Sequence, residues 1–130
     1  MKTNKYTFYT FNGEALGKGK LVLAVVKDYV RKNPDTSFDE LKKAFPDEWQ
    51  DSRPNPRYGV FVKLSDAEKH CEATGRTVRF FMKEGETIQL TDEAIVVSTQ
   101  WGIANIGDFV DGSNQNHNTD ISVAAGWKLP

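Results

Sequence analysis

The sequence predicts a single α+β domain in which winged-helix-like helices pack on a small antiparallel sheet. Apolar residues spaced at i, i+3, i+4 and i+7 predict an amphipathic helix over residues 19–32. S-x-x-E capping boxes predict two shorter helices, over residues 38–45 and 66–74. Beyond these helices, apolar and β-branched runs separated by turn residues predict strands. The length of 130 residues is typical of one domain.

The first half of the chain is predicted to be a strand followed by a helix pair. The aromatic and β-branched run KYTFYTF, residues 5–11, predicts the strand, and the Asn-Gly after it predicts a turn. Pro34 ends the first helix because a proline disfavours the α conformation of the residue before it. A capping box that begins at Ser37 opens the second helix, and Pro46 stops it. Residues 47–57 hold two further prolines and are interpreted as an exposed loop.

The second half is predicted to be mainly β-structure around the third helix. Strands are predicted over residues 58–62, 77–82, 87–90 and 94–98. Gly75 is expected to end the third helix in the left-handed conformation. A turn at Gly85 joins two of the strands into a hairpin over residues 77–90, which would be the wing of a winged helix. A last helix is predicted over residues 102–110.

The domain is predicted to span residues 1–111. Residues 112–120, GSNQNHNTD, are polar and are interpreted as a linker or mobile loop. Residues 121–130 are apolar enough to form a C-terminal tail that docks on the domain or on a neighbouring chain, with Trp127 as its anchor.

Composition argues against several classes of protein. Cys71 is the only cysteine, which excludes an internal disulfide and fits a reducing compartment. No apolar run reaches the roughly 20 residues of a membrane helix, and the N-terminus lacks the apolar region of a secretory signal. The chain is therefore expected to be soluble and cytoplasmic, with no membrane partner.

Known catalytic motifs are also absent from the sequence. It contains no phosphate-binding P-loop, nucleophile elbow or H-E-x-x-H motif. His70 and Cys71 are adjacent, and helical neighbours point about 100° apart, so they do not form a natural base–nucleophile pair. His117 has no partner at metal-ligand spacing. We therefore predict a non-enzymatic protein with no metal and no cofactor.

The charges are distributed unevenly along the chain, although the net charge is only −1. Residues 53–83 carry seven basic and three acidic side chains, whereas residues 84–130 carry one basic and seven acidic. This basic region predicts contacts with the phosphates of DNA or RNA. The candidate residues are Arg53, Arg57, Lys63, Lys69, Arg76, Arg79 and Lys83. Against this reading, three acidic residues lie on the third helix, and the segment between the second and third helices is long for a helix-turn-helix.

A protein-interaction or regulatory module that acts as a homodimer is the alternative. Its candidate residues are Phe81 and Trp101. Phe80 and Phe81 point to opposite faces of a strand, so a sheet covered on one side only would expose one of them. Trp101 and Gly102 lie at a junction between a strand and a helix, where the simpler interpretation is close packing in the core.

Several stretches together resemble a small uncharacterised bacterial domain. They are YTFNGE at residues 9–14, GKGKLVLAVVKDYV, SFDELKKAFPDEWQ, GVFVKL and STQWGIANI. The likeness covers about residues 6–110. Such domains are similar to modules found beside restriction-type and other bacterial nucleic-acid-processing proteins, so the resemblance implies an accessory or defence-related role. It implies no catalytic residue.

Overall fold

The structure, a computed structural model, describes residues 7–52, 59–76 and 78–124. Within these ranges, four α-helices and two three-stranded antiparallel sheets confirm the predicted α+β class. The strands are β1 (Tyr9–Phe11), β2 (Glu14–Leu16), β3 (Phe61–Lys63), β4 (Ile88–Gln89), β5 (Ala94–Val97) and β6 (Ser122–Val123). The helices are α1 (Lys18–Lys32), α2 (Phe38–Ala44), α3 (Leu64–Thr74) and α4 (Ile106–His117), with a short 3-10 turn at Asp47–Trp49.

The helix pair α1–α2 forms as its local signals predict. Leu21, Val22 and Val26 of α1 are fully buried, as their spacing requires. At the start of α2, the Ser37 hydroxyl accepts a hydrogen bond from the Glu40 amide, at 3.2 Å, and the Glu40 carboxylate accepts one from the Ser37 amide, at 2.9 Å. This reciprocal pair satisfies two amides that the helix itself leaves unpaired.

The start of α3 differs from the prediction, while its end agrees. The helix begins at Leu64 directly after β3, and Lys63, its N-cap residue, makes no side-chain capping bond. The expected capping box at Ser65 is therefore wrong. Leu64 already packs in the cluster around Ala67, which favours helical backbone from that residue onward. Gly75 ends the helix with φ of 71°, the left-handed conformation that was predicted.

The sheet β3-β5-β4 is covered on both faces. Phe61, Ile95 and Val97 point into the main core, where α1 and α2 also contribute. Val96 and Phe80 point to the opposite face and pack with Ala67 of α3. Adjacent aromatic residues at 80 and 81 are therefore both accommodated, because a helix covers the second face of the sheet.

The predicted hairpin over residues 77–90 is wrong in its pairing. Phe80 pairs with Ser98 and Ile88 pairs with Ile95, so both segments lie along the same edge of the β5 strand instead of along each other. Ile95, Val96 and Val97 of β5 are buried, and pairing beside β5 places Phe80 and Ile88 in buried positions as well. Residue 77 lies outside the described ranges.

The sheet β2-β1-β6 joins the two ends of the described chain. β1 pairs antiparallel with β6, with Tyr9 opposite Val123, and the Ala124 amide donates to the Phe8 carbonyl at 3.0 Å. Ile121 is 5% exposed. Residues 121–124 therefore dock on their own chain, whereas Trp127 lies outside the described residues.

The predicted linker over residues 112–120 is wrong for its first six residues. α4 extends to His117, so residues 112–117 are helical, and the helix begins at Ile106 instead of residue 102. Helix propensity here is poor, but tertiary packing overrides it. Ser113 is fully buried, and the Asn114 side chain donates to the Ile121 carbonyl at 2.9 Å and accepts from its amide at 2.7 Å.

Candidate nucleic-acid interface

Within the described ranges, the basic residues predicted to bind nucleic acid lie in different local settings. The Lys63 ammonium lies 3.7 Å from a Glu93 carboxylate oxygen and 5.1 Å from the Phe38 ring centre, so it belongs to a local cluster. Arg79 donates from Nη1 to the Gln100 side-chain oxygen at 2.8 Å. Three further residues are exposed. Lys69 lies on the surface of α3, Arg76 follows the C-terminus of α3, and Lys83 lies in the turn over residues 83–86. Arg53 and Arg57 lie outside the described residues.

The outer face of α3 is anionic. Asp66, Glu68 and Glu72 are exposed there together with Lys69, which gives this face three negative charges and one positive. Ala67 occupies the opposite face and is fully buried against the sheet. A helix with this surface charge would repel phosphates, so α3 is poorly suited to be the recognition helix of a winged helix.

A cationic surface that was not predicted lies on α1. Lys20, Lys27 and Arg31 are exposed at positions i, i+7 and i+11, which places them within about 40° of one another around the helix axis. Lys83 comes from the turn that packs beside this face. We call Lys20, Lys27, Arg31 and Lys83 the basic ridge. The signal was present in the sequence as a helical spacing, but charge counts over long windows conceal it.

The turn at residues 83–86 is attached to α1 through specific polar contacts. The Lys20 ammonium lies 2.9 Å from a carboxylate oxygen of Glu86. The other Glu86 oxygen accepts a hydrogen bond from the Lys83 amide, at 2.9 Å. The Lys27 ammonium donates to the Gly85 carbonyl. Three residues of the turn therefore position the basic ridge.

Glu86 is the anion at the centre of this arrangement. The hydrogen bond from Lys20 is the main cause that holds the pKa of its carboxyl below the ordinary value, and the Lys83 amide adds to the effect. Its side chain is only 12% exposed, whereas that of Lys20 is 58% exposed. The ridge thus presents its cations to solvent and covers the carboxylate that orders them. Asp28 forms ion pairs with Arg31 of the ridge and with Lys32 next to it in the sequence.

An open groove of about 430 Å³ lies next to the ridge. Its apolar lining is Val78, Phe80, Phe81 and Met82, and Lys20, Lys83, Glu86 and Thr99 complete it. Phe81 is half-buried, and the Lys20 ammonium lies 4.9 Å from its ring centre. A Cβ on Gly19 would come within 3.0 Å of the same ring. Phe81, predicted as an interaction residue, therefore does line an accessible surface.

Trp101 lies in a different place and is held by the structure around it. Its indole N–H donates to the Ser98 carbonyl at 2.9 Å, and its ring meets the Phe109 ring with centres 5.3 Å apart. The neighbouring polar cleft is crossed by amide hydrogen bonds: the side chains of Gln50 and Asn105 both donate to the Gln100 carbonyl. These contacts favour the packing interpretation of Trp101.

The residues considered for catalysis have structural contacts. The His70 ring lies with its centre 5.6 Å from that of Phe80, and the Cys71 sulfur lies 3.7 Å from that of Met82. His117 Nε2 is 2.6 Å from the Ala44 carbonyl oxygen, and its ring packs with that of Phe45 in a separate aromatic cluster. In the parts of the chain that the structure describes, no three His, Cys, Asp or Glu side chains are grouped to hold a metal ion. Nor does any helix there have the length and apolar character needed to cross a bilayer.

Comparisons with known protein families, with curated proteins and with solved structures find no match for this chain. The resemblance to a small bacterial domain therefore stays a prediction, and function is inferred from the geometry of the chain itself.

Proposed function

We propose that this chain is a non-enzymatic nucleic-acid-binding domain whose contact surface is the basic ridge and not the third helix. The observation that carries the proposal is the alignment of Lys20, Lys27 and Arg31 on one exposed face of α1, beside Lys83. Eleven residues of helix span about 16 Å, which corresponds to roughly five steps of a B-form strand at about 3.4 Å each. Flexible cations at this spacing suit the repeated charges of a phosphate backbone.

The number of cations sets the expected salt dependence. Each neutralised phosphate contributes about −0.9 to the slope of log affinity against log salt for a duplex, and about −0.7 for a single strand. Four ridge cations therefore set the upper limit of the slope at about −3.6 for a duplex and about −2.8 for a single strand, because Lys20 and Arg31 also pair with carboxylates. An accessory or defence-related role in nucleic-acid processing, which the sequence resemblance implies, is compatible with binding through this small number of phosphate contacts.

The test is fluorescence anisotropy with labelled single-stranded and double-stranded DNA and RNA between about 50 and 200 mM salt. The test variant is Lys27→Gln/Arg31→Gln/Lys83→Gln, which preserves the contact between Lys20 and Glu86. The control is Lys69→Gln/Arg76→Gln, which removes two cations, one on the anionic face of α3 and one just after its C-terminus.

We expect the test variant to flatten the salt slope by about 2 to 3 units and the control to leave it unchanged. Absence of binding to every one of these nucleic acids at about 50 mM salt, where phosphate contacts are strongest, would overturn the proposal. A slope that the control flattens as much as the test variant would also contradict it, because the contact surface would then lie elsewhere.

A homodimeric protein-interaction or regulatory module is the second candidate. The observation that favours it is the exposure of Val78, 68%, at the margin of an apolar groove. Exposed apolar surface of this kind is a common feature of protein interfaces. Light scattering across a concentration series would reveal a dimer, and Val78→Glu should dissociate it. A monomer at all concentrations, with or without the substitution, would refute this candidate.

A further inference from the structure

We infer that the groove beside Phe81 binds an unpaired nucleobase of a single strand, which stacks on the Phe81 ring while neighbouring phosphates contact Lys20 and Lys83. This inference rests on the proposed nucleic-acid-binding function and specifies its substrate class. It predicts that the protein prefers single strands to duplexes, since a base inside a duplex keeps both of its faces stacked and cannot enter the groove.

The Phe81 ring is a fixed platform. Its backbone amide donates to the Val97 carbonyl at 2.8 Å, which anchors the residue to the edge of the β3-β5-β4 sheet. One side of the ring lies against Gly19, where even a methyl group would come within 3.0 Å. The ring also packs against the main core while remaining partly exposed, and a base that stacks on it takes the place of the Lys20 ammonium 4.9 Å from the ring centre. An immobilised ring loses little conformational freedom when a base stacks on it.

The rest of the groove suits a base of any identity. Met82 lines it with an unbranched, polarisable side chain that adapts its shape to different rings. Val78 adds exposed apolar surface. Because every base has a π face, such contacts tolerate sequence variation. We therefore expect affinity for single strands with little dependence on sequence.

Charge at the groove favours a polyanion over an apolar peptide. Lys20 and Lys83 are both exposed lining residues, whereas Glu86, which also lines the groove, is engaged by both of them. Glu84, an exposed carboxylate of the same turn, does not line the groove. A ligand with an apolar face and flanking negative charges matches this surface, and a single-stranded nucleic acid is such a ligand.

The test combines a substitution in the protein with a change in the ligand. Phe81→Leu retains apolar contact with the core but removes the π face. The ligands are a labelled 12-nucleotide poly(dT), a fully abasic strand with the same phosphates, and a duplex of the same length. Ile103→Ala is the control, because Ile103 is 55% exposed and does not line the groove. Thermal melting verifies that each variant is folded.

We expect Phe81→Leu to weaken poly(dT) binding by about 5- to 150-fold, the range reported for one base–aromatic stack. The same substitution should change neither the salt slope nor the affinity for the abasic strand or the duplex. Ile103→Ala should change none of them.

Three outcomes would overturn the inference. If Phe81→Leu leaves poly(dT) affinity unchanged while removal of the ridge cations flattens the salt slope, the groove does not bind bases but the proposed function stands. Equal affinity of the wild-type protein for poly(dT) and for the abasic strand would likewise show that the groove does not bind bases, and the proposed function would stand. If no strand binds at about 50 mM salt, the proposed function fails as well.

Discussion

Replacing Gly112 by alanine should destabilise this protein, although the same change in an ordinary helix is stabilising. Gly112 lies inside α4, and a Cβ there would come 2.4 Å from Cζ2 and 2.5 Å from Cε2 of Trp49. Normal carbon contacts begin at about 3.5 Å, so the indole would have to move by about 1 Å. The rings of Phe45 and Phe109 pack on the same indole, with centres 6.0 and 6.1 Å away, and oppose that movement.

Two effects of opposite sign determine the magnitude. Replacing a glycine by alanine within a helix contributes about 1 kcal/mol of stability. Overpacking a well-filled core costs about 1 to 3 kcal/mol, and a rigid ring held by two others places this site at the upper end. The free energy of unfolding should therefore fall by about 2 kcal/mol.

Gly107 provides the matched control in the same helix. A Cβ at Gly107 meets nothing within 4 Å, so Gly107→Ala should raise the free energy of unfolding by up to about 1 kcal/mol. Urea denaturation compares the two midpoints at constant m-value. The reasoning is refuted if Gly112→Ala is as stable as Gly107→Ala, or nearly neutral, as it would be in a mobile loop.

Three further predictions concern caps, charge and the core. Ser37→Ala should lower the free energy of unfolding by about 1 kcal/mol, whereas Ser65→Ala, inside α3, should change it by less than about 0.5 kcal/mol; equal losses in urea denaturation would contradict this. The stabilisation linked to ionised Glu86 is complete above its ordinary pKa of 4.5 and is lost as pH falls through its lower folded pKa. Lys20→Met should raise that pKa toward the ordinary value in an NMR titration, and an unchanged titration would contradict the assigned cause. Phe45 is fully buried, so Phe45→Ala should lower the free energy of unfolding by about 3 to 5 kcal/mol. A decrease of less than about 1 kcal/mol in thermal melts would mean that Phe45 is not central to the core.

Local chemistry made the first half of the fold predictable. Pro34 and the capping box at Ser37 act through neighbouring residues only, so their effects are readable from the sequence. Gly75 is similar, because the left-handed conformation that it adopts is a property of the residue itself.

Long-range packing accounts for what the sequence did not reveal. Residues 112–117 carry weak helix formers, and contacts with residues outside the segment, such as Trp49, Ala44 and Ile121, favour their helical conformation. Likewise, residues 80 and 88 lie close enough in sequence to suggest a hairpin, yet the buried β5 strand takes both as partners. The sequence of either short segment alone does not show whether it pairs with the other segment or with β5.

The candidate interface was predicted only in part for a related reason. Counting charge along the chain selected residues 53–83, of which Lys83 belongs to the basic ridge and Phe81 lies in the adjacent groove. The same count hid Lys20 and Lys27, because it averages the basic residues of α1 with the acidic residues of the segment 35–51 that follows it. The basic ridge becomes visible in the sequence when charged residues are grouped by the helix face on which they lie.

The pairing of β1 with β6 determines how this domain would respond to a pulling force. The start of β1 and the end of β6 lie side by side, as the contact between Phe8 and Ala124 shows. A force that separates these two ends loads the strand hydrogen bonds one after another and not all together. The hydrogen bonds between β1 and β6 should therefore break in sequence at low force. β6 should detach before the β3-β5-β4 sheet and its covering helices unfold.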